Sequence, residues 1–244
     1  MKKYFKFHFF FYITSFIFLF SGHFKDYIMI MGIVLFHELG HIMMGRYFKW
    51  SIQKIIILPF GCITKFKTEI NVPLKEEFFV TVMGPFFQII GAFFYYQITK
   101  NELFLFYHHV LLFLNLLPII PLDGSKIINV FFCKIFPYKK ALFLSFKLSV
   151  LFLIITIFYE FYYFNFLLFI WTILLILENK KEKQFLLLKF YLFLKERMEH
   201  QYQFPYRYEK INNVDRIKRD VHCIFQNQYT ERDAIKRYFH YEIR

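Results

Sequence analysis

The stretch Ile28–Met44 reads IMIMGIVLFHELGHIMM, an apolar run interrupted by only three ionisable side chains, His37, Glu38 and His41. With its flanks it is long enough to cross a bilayer, which takes about 20 mostly apolar residues as a helix. On that helix, residues four apart share a face one turn apart. The imidazoles of His37 and His41 can therefore grip one metal ion, with Glu38 in reach of a water bound to it. This is the H-E-x-x-H order of zinc hydrolases. Zinc lowers the pKa of its water toward ~7, and a neighbouring carboxylate takes the proton as the oxygen attacks a carbonyl. In a soluble helix five residues would be a hint. Inside an apolar span they weigh more, because ionisable groups there cost several kcal/mol unless partnered or functional. The alternative is a structural His/Glu cluster satisfied by neighbouring helices.

Composition supports a membrane setting. Of the 244 residues, 57% are hydrophobic and 24% aromatic, with 39 Phe and 18 Tyr, yet the net charge is +13. Soluble domains are about 45–50% apolar. A chain this apolar and this basic keeps its apolar residues in lipid and its charge in loops, which excludes a disordered chain, a disulfide scaffold and a cytosolic globule. Cys62, Cys133 and Cys223 are far apart and form no C-x-x-C pair, so they read as isolated thiols. The N-terminal Met1-Lys2-Lys3 run lacks a small-residue cleavage site after its apolar stretch and reads as an uncleaved first span.

The sequence thus predicts an all-α polytopic membrane protein of about six transmembrane helices, near residues 5–21, 27–48, 78–98, 103–121, 141–158 and 161–177. Residues 1–177 form the transmembrane domain and 178–244 a short cytoplasmic region that begins with an amphipathic helix over 178–200 and ends with a helix near Glu231–Tyr241. Lys and Arg concentrate in the N-terminal flank, in 49–77, in 122–140 and in the tail, against only Lys25 and Lys100 on the other side. By the positive-inside rule both termini and both long connections are cytoplasmic. The mixed charges of the tail suit anionic lipid better than nucleic acid. Within 49–77, the β-branched run Ile52–Leu58, the turn Pro59-Phe60-Gly61 and the alternation over Ile63–Ile70 predict a small β-hairpin at the membrane surface.

A tetrahedral catalytic zinc needs a third protein ligand and an open position. The predicted fourth span ends in NLLPIIPLDG, Asn115–Gly124, where two prolines break the helix and Asp123 is the sole carboxylate. Non-helical backbone at membrane depth survives only where buried in protein or lining a watery cavity. The topology puts His37, His41 and Asp123 at one depth on the cytoplasmic side. His108 and His109 sit about 22 Å of straight helix before Asp123 and read as interfacial residues. His8 reads likewise, His23 and Glu160 fall on the outer side, and the tail histidines His200, His222 and His240 lack ligand spacing.

Together, HELGH and NLLPIIPLDG resemble the intramembrane zinc proteases of the site-2 family. Gly22-His23-Phe24, Leu58–Gly61, Pro73–Glu77 and Met83-Gly84-Pro85 extend the resemblance over about residues 6–180, toward a branch found in endospore-forming bacteria. It implies one Zn2+ held by His37, His41 and Asp123, Glu38 as general base, and Asn115 holding substrate or oxyanion. Pro59, Phe60 and Gly61 would belong to a gate or edge strand that receives an unwound substrate, a mode in which strand addition supplies main-chain partners. The implied client is the membrane-associated precursor of a late sporulation sigma factor, cleaved in the mother-cell membrane around the forespore. Regulatory membrane proteins, the lipid bilayer and a homo-oligomeric state belong to the same expectation. The pattern departs from the family at Gln88, where Asn is frequent, and at Ser125, where Gly is. The tail is also short for a nucleotide-sensing cystathionine-β-synthase-type domain, so 213–244 reads as a contracted remnant and ATP sensing is not assigned. Two competing readings are the same chemistry on another client, such as an anti-sigma factor, and a non-hydrolytic metal-binding transporter or regulator.

Overall fold

In lipid a backbone must satisfy its own N–H and C=O groups, and an apolar chain therefore folds mainly as helices. The computed structural model is mostly helical and describes residues 5–7, 9–58, 61–67, 70–163, 166–200, 208–225 and 230–242. Backbone proximity divides it into two units, residues 1–68 with 78–116, and residues 69–77 with 117–244.

The first unit runs β1 (Phe5–Phe7), α1 (Phe9–Phe20), α2 (Phe24–Tyr47), β2 (Ser51–Leu58), β3 (Gly61–Lys67), most of α3 (Leu74–Thr99) and α4 (Glu102–Leu116). Strands β2 and β3 pair antiparallel, Ile55 opposite Thr64, with a register shift between Ile52 and Lys54. Pro59 and Phe60 lie outside the described residues. Strand β1 adds to β2 in parallel, Phe5 opposite Ile55, giving the order β1-β2-β3. The expected first span is thus divided: its opening residues are a strand, and α1 has 12 residues, about 18 Å at 1.5 Å each against the ~30 Å of a bilayer core. The Phe-Lys-Phe alternation has the period of a strand, but its partner lies some fifty residues away.

Among the described residues, three helices are long and apolar enough to cross a membrane: α2, α3 and α6 (Tyr138–Tyr162). Helix α4, with 15 residues, is shorter. On α2 the usual polarity is inverted. Leu35, Phe36, Leu39 and Met43 are exposed, whereas His37, Glu38 and His41 are buried. That is the arrangement lipid demands, with apolar side chains outward and ionisable ones inward. Helices α2 and α3 meet at Gly40, where a Cβ would overlap the Met83 carbonyl, and α2 meets β3 at Gly45, where a Cβ would come 2.6 Å from the Phe66 ring. Small residues permit such close approaches.

The second unit holds α5 (Asp123–Ile135), α6, α7 (Phe166–Glu199), β4 (Tyr208–Ile211), a 3-10 turn at Val214–Arg216, β5 (His222–Phe225) and α8 (Glu231–Glu242). The apolar run expected as a last span and the amphipathic segment after it form one continuous helix, α7. Its buried Phe190, Phe193 and Leu194 share a core with Cys133 and Ala141 and with Ile217, Cys223 and Ile235 of the tail. Strands β4 and β5 pair in parallel, and Asn213 caps the 3-10 turn by accepting from the Asp215 N–H at 3.2 Å.

The tail also grips the start of α3. Glu196 accepts from the N–H groups of Ile70 and Asn71. Asp220 accepts from the Leu74 N–H at 2.8 Å, capping the first turn of α3 from a distant part of the chain. Arg219 donates to Glu77 at 2.6 Å and to the Val72 carbonyl at 2.7 Å. Burial is the largest single influence on Arg219 and would lower its pKa, but the charge and hydrogen bond of Glu77, with Cys133 and Tyr138, together outweigh burial and raise it.

Burial pushes the Cys133 thiol up to about 12. It pushes Cys223 up to about 11, with the Glu231 charge adding to the shift. An unfolded thiol titrates near ~8.5. The folded state therefore keeps protons that the unfolded chain releases, and this stabilisation is intact below about pH 8.5 and lost as pH rises through the folded values. Thermal melts of the detergent-solubilised chain should fall between pH 8.5 and 11, with a shallower fall for Cys223→Ala. Equal slopes would remove the thiol from the account.

Candidate metal centre

The first unit builds its polar site from α2, α3, α4 and β3. His37 and His41 stack one turn apart on α2, with ring centroids 4.9 Å apart and planes at 72°. Each ring is oriented through Nδ1. His37 Nδ1 lies 2.9 Å from Gln88 Oε1, and His41 Nδ1 lies 2.8 Å from the Val80 carbonyl. Gln88 Nε2 in turn donates to the His108 carbonyl at 3.1 Å, which fixes its amide with the oxygen toward His37. A carbonyl and an amide oxygen only accept, so in both imidazoles Nδ1 carries the hydrogen.

That tautomer leaves both Nε2 atoms as lone-pair donors, and they face each other at 3.1 Å. Two lone pairs at that distance repel unless a cation or a proton lies between them. Two imidazoles on one tetrahedral zinc at 2.0–2.1 Å would hold their nitrogens roughly 3.3 Å apart. The pair therefore fits a zinc ion, and its hydrogen-bonded Nδ1 groups are the orienting partners that metal-binding histidines use. Gly84 on α3 makes the approach feasible, since a Cβ there would overlap the His41 ring and stand 2.9 Å from His37 Nε2.

Glu38 is buried beside the pair and accepts from Thr64 Oγ1 of β3 at 2.8 Å. The strand after the turn thus holds the carboxylate that the motif reading singled out. Sequence reasoning did not find Thr64, Val80 or the role of Gly84, and it met Gln88 only as a departure. Gln88, at a place where the pattern departs from the family, supplies the amide oxygen that orients His37. His108, read from the sequence as an interfacial residue, is instead buried behind Gln88.

In the second unit, Asp123 is buried at the first turn of α5 and pairs with Lys126 at 2.8 Å. A negative charge there is favoured by the helix dipole. Asn115 is half-buried at the end of α4. Gly61 opens β3, while Pro59 and Phe60 lie outside the described residues.

Comparison with known proteins bears out the resemblance read from the two motifs. Residues 26–104 match Peptidase family M50, a region that contains α2, both strands of the antiparallel pair and α3 and ends before Asp123. The chain is 40% identical over 142 residues to stage IV sporulation protein FB of Bacillus subtilis, covering 55% of this chain and 49% of that protein. It is 29% identical over 126 residues to a zinc metalloprotease of Methanocaldococcus jannaschii, covering 47% of this chain and 36% of that protein. The chain thus spans half or less of the length of these relatives. A solved site-2 protease from Methanocaldococcus jannaschii shares the fold, with a TM-score of 0.59 at 18% identity over 73% of this chain and 89% of that one.

Proposed function

We propose that this chain is an intramembrane zinc endopeptidase that cuts a membrane-associated protein near the cytoplasmic face, and that its client is the precursor of a late sporulation sigma factor. The observation that carries the reading is the buried His37/His41 pair with both Nδ1 atoms on acceptors, 3.1 Å between the Nε2 atoms, and Glu38 beside it. The sporulation client is supported by the name of the Bacillus subtilis relative. With six crossings, the Lys/Arg asymmetry supports cytoplasmic termini, and the membrane around the forespore follows from the resemblance alone.

His37, His41 and Asp123 would hold the ion, since each offers one ligand atom of a kind zinc takes. When bound, zinc supplies an acidified water and a Lewis acid for the scissile carbonyl. The remaining work belongs to the chain. Gln88 and Val80 hold the imidazoles in the ligating tautomer. Glu38 takes the proton of the attacking water at a carboxylate oxygen and later gives it to the leaving amine. Thr64 holds that carboxylate on Oε2, keeping its aim. Asn115 would steady the substrate carbonyl. Strand β3 pairs with β2 on one side only among the described residues. Its other edge offers the main-chain partners that an unwound substrate needs, and by the resemblance Pro59, Phe60 and Gly61 would help to receive it. Residues 178–244 would then be a cytoplasmic region placed where regulatory membrane partners can reach it, and a homo-oligomer is compatible with the scheme.

Co-expression of the chain with a membrane-tethered sigma-factor precursor, and separately with an anti-sigma factor, followed by blotting, tests client and chemistry together. A shortened product from the precursor alone is expected. No product from either would sink the endopeptidase reading, and product only from the anti-sigma factor would replace the client. Thr64→Val should lower kcat by about tenfold with little change in KM, because a hydrogen bond to a charged group is worth about 1.5 kcal/mol or more. Turnover equal to wild type would remove Thr64 from the site.

A further inference from the structure

We propose that Asn179 and Ser149 are positioning residues for the Asp123 ligand, acting through the backbone of Ile120; the inference rests on Asp123 binding the ion as proposed above. Helix α4 ends at Leu116 and α5 begins at Asp123. The six residues between them include Pro118 and Pro121, which have no N–H to donate. At membrane depth every polar backbone group left outside a helix needs a partner. Ile120 finds both of its partners in side chains. Its N–H donates to Ser149 Oγ of α6 at 2.9 Å, and its carbonyl accepts from Asn179 Nδ2 of α7 at 2.7 Å.

The two side chains are joined to each other. Ser149 Oγ donates to Asn179 Oδ1 at 2.6 Å, and Asn179 Nδ2 donates also to the Leu175 carbonyl at 3.0 Å. Asn179 thus uses both amide hydrogens and its oxygen, and Ser149 both donates and accepts. Neither is solvated: Ser149 is 0% and Asn179 4% exposed. Asn179 stands in the charged run Glu178–Lys183 of the sequence, so its burial needs a reason. The neighbouring Ile119 is also 0% exposed and packs between Leu153 of α6 and Leu175 of α7. One apolar side chain and one fully bonded peptide unit therefore fix this segment against α6 and α7.

The fixed point is close to Asp123 along the chain. Leu122 N–H donates to the Ile119 carbonyl at 2.8 Å, and Ser125 N–H and Oγ both reach the Leu122 carbonyl. From Ile120 to Asp123 the chain turns through three residues of bonded backbone, so a shift at Ile120 moves the carboxylate. A ligand needs sub-ångström placement, and outer residues that orient ligands typically set metal affinity by about 10- to 100-fold. A purely structural tie would lower stability without altering the ligand field, and that difference is measurable.

The test uses the full chain in detergent, loaded with Co2+ in place of zinc. Asn179→Asp keeps the shape and the oxygen that accepts from Ser149, but sets an oxygen against the Ile120 and Leu175 carbonyls. Ser149→Ala leaves the Asn179 bond to the Ile120 carbonyl in place and removes the acceptor of the Ile120 N–H together with the donor to Asn179 Oδ1. Both are expected to change the visible cobalt absorption, to lose metal to a chelator about tenfold more readily, and to lower kcat with KM unchanged. Wild-type cobalt spectra and chelator competition in both variants would overturn the proposal, even if their melting temperatures fell. Asp123→Asn run in parallel separates the two levels. If it leaves the cobalt spectrum unchanged, Asp123 is no ligand and the inference falls with that reading. If it alters the spectrum while Asn179→Asp and Ser149→Ala do not, only the positioning role falls.

Discussion

Glu38→Gln should abolish processing of the client while leaving zinc content, membrane insertion and melting temperature at wild-type levels. The substitution is nearly isosteric. It removes a proton acceptor and keeps an oxygen that can still accept from Thr64 Oγ1, the partner that Glu38 Oε2 now takes at 2.8 Å. The imidazoles of His37 and His41 are oriented by Gln88 and Val80, not by Glu38, so the proposed metal site should survive. General-base catalysis contributes about 10²- to 10⁴-fold, enough to take a slow membrane protease below detection on a blot. The measurement is zinc stoichiometry of the purified chain beside product yield on co-expression. Processing that persisted would remove Glu38 from the proton transfer and favour a non-hydrolytic use of the ligands. Loss of zinc together with processing would show that the carboxylate holds the site together and would leave its role as base without support.

How far the sequence carried the reading depends on the range over which each interaction acts. The His37/Glu38/His41 grouping was legible because five consecutive residues on one helix fix their own geometry, and the apolar surroundings made their charge conspicuous. The β2 and β3 strands were legible for the same local reason: β-branching, then a turn. Strand β1 was not, because its parallel partner is some fifty residues away and only pairing distinguishes Phe5–Phe7 from the start of an apolar helix. The oriented tautomers depend on Val80 and Gln88, about forty and fifty residues from the histidines they hold, and no spacing rule relates them. Thr64 was a strand residue with nothing to mark it until the strand lay against α2. The final helix of the tail was legible in its sequence, but the tail's core was not, because Ile217, Cys223 and Ile235 complete one begun by α5, α6 and α7. Gln88 was visible only as a mismatch, and the structure gives it a task, its amide oxygen lying 2.9 Å from His37 Nδ1.

Gly84→Ala should cost the metal site nearly as much as removing a ligand, yet leave the helix intact. In a helix interior alanine is favoured over glycine by about 1 kcal/mol, so α3 itself gains. The loss comes from space. A Cβ at Gly84 would overlap the His41 ring and lie 2.9 Å from His37 Nε2. The rings cannot turn away without giving up their Nδ1 bonds to Val80 and Gln88. Either an imidazole swings off its acceptor or α2 and α3 separate, and a displacement of about 1 Å at a catalytic centre can cost about a hundredfold in rate. The expected result is at least a hundredfold fall in processing with zinc retention strongly reduced, while the melting temperature of the metal-free chain changes little. Two other glycines bracket the effect. At Gly40 a Cβ would meet the Met83 carbonyl, which is backbone and cannot rotate away, so Gly40→Ala should lower stability as well as activity, by about 1–3 kcal/mol of overpacking. At Gly32 nothing lies within 4 Å of a Cβ, so Gly32→Ala should be neutral or slightly stabilising. If Gly84→Ala processed the client like wild type, the close contact between α3 and the histidine pair would not exist in the working enzyme, and the placement of Val80 and Gln88 as their orienting partners would fail with it.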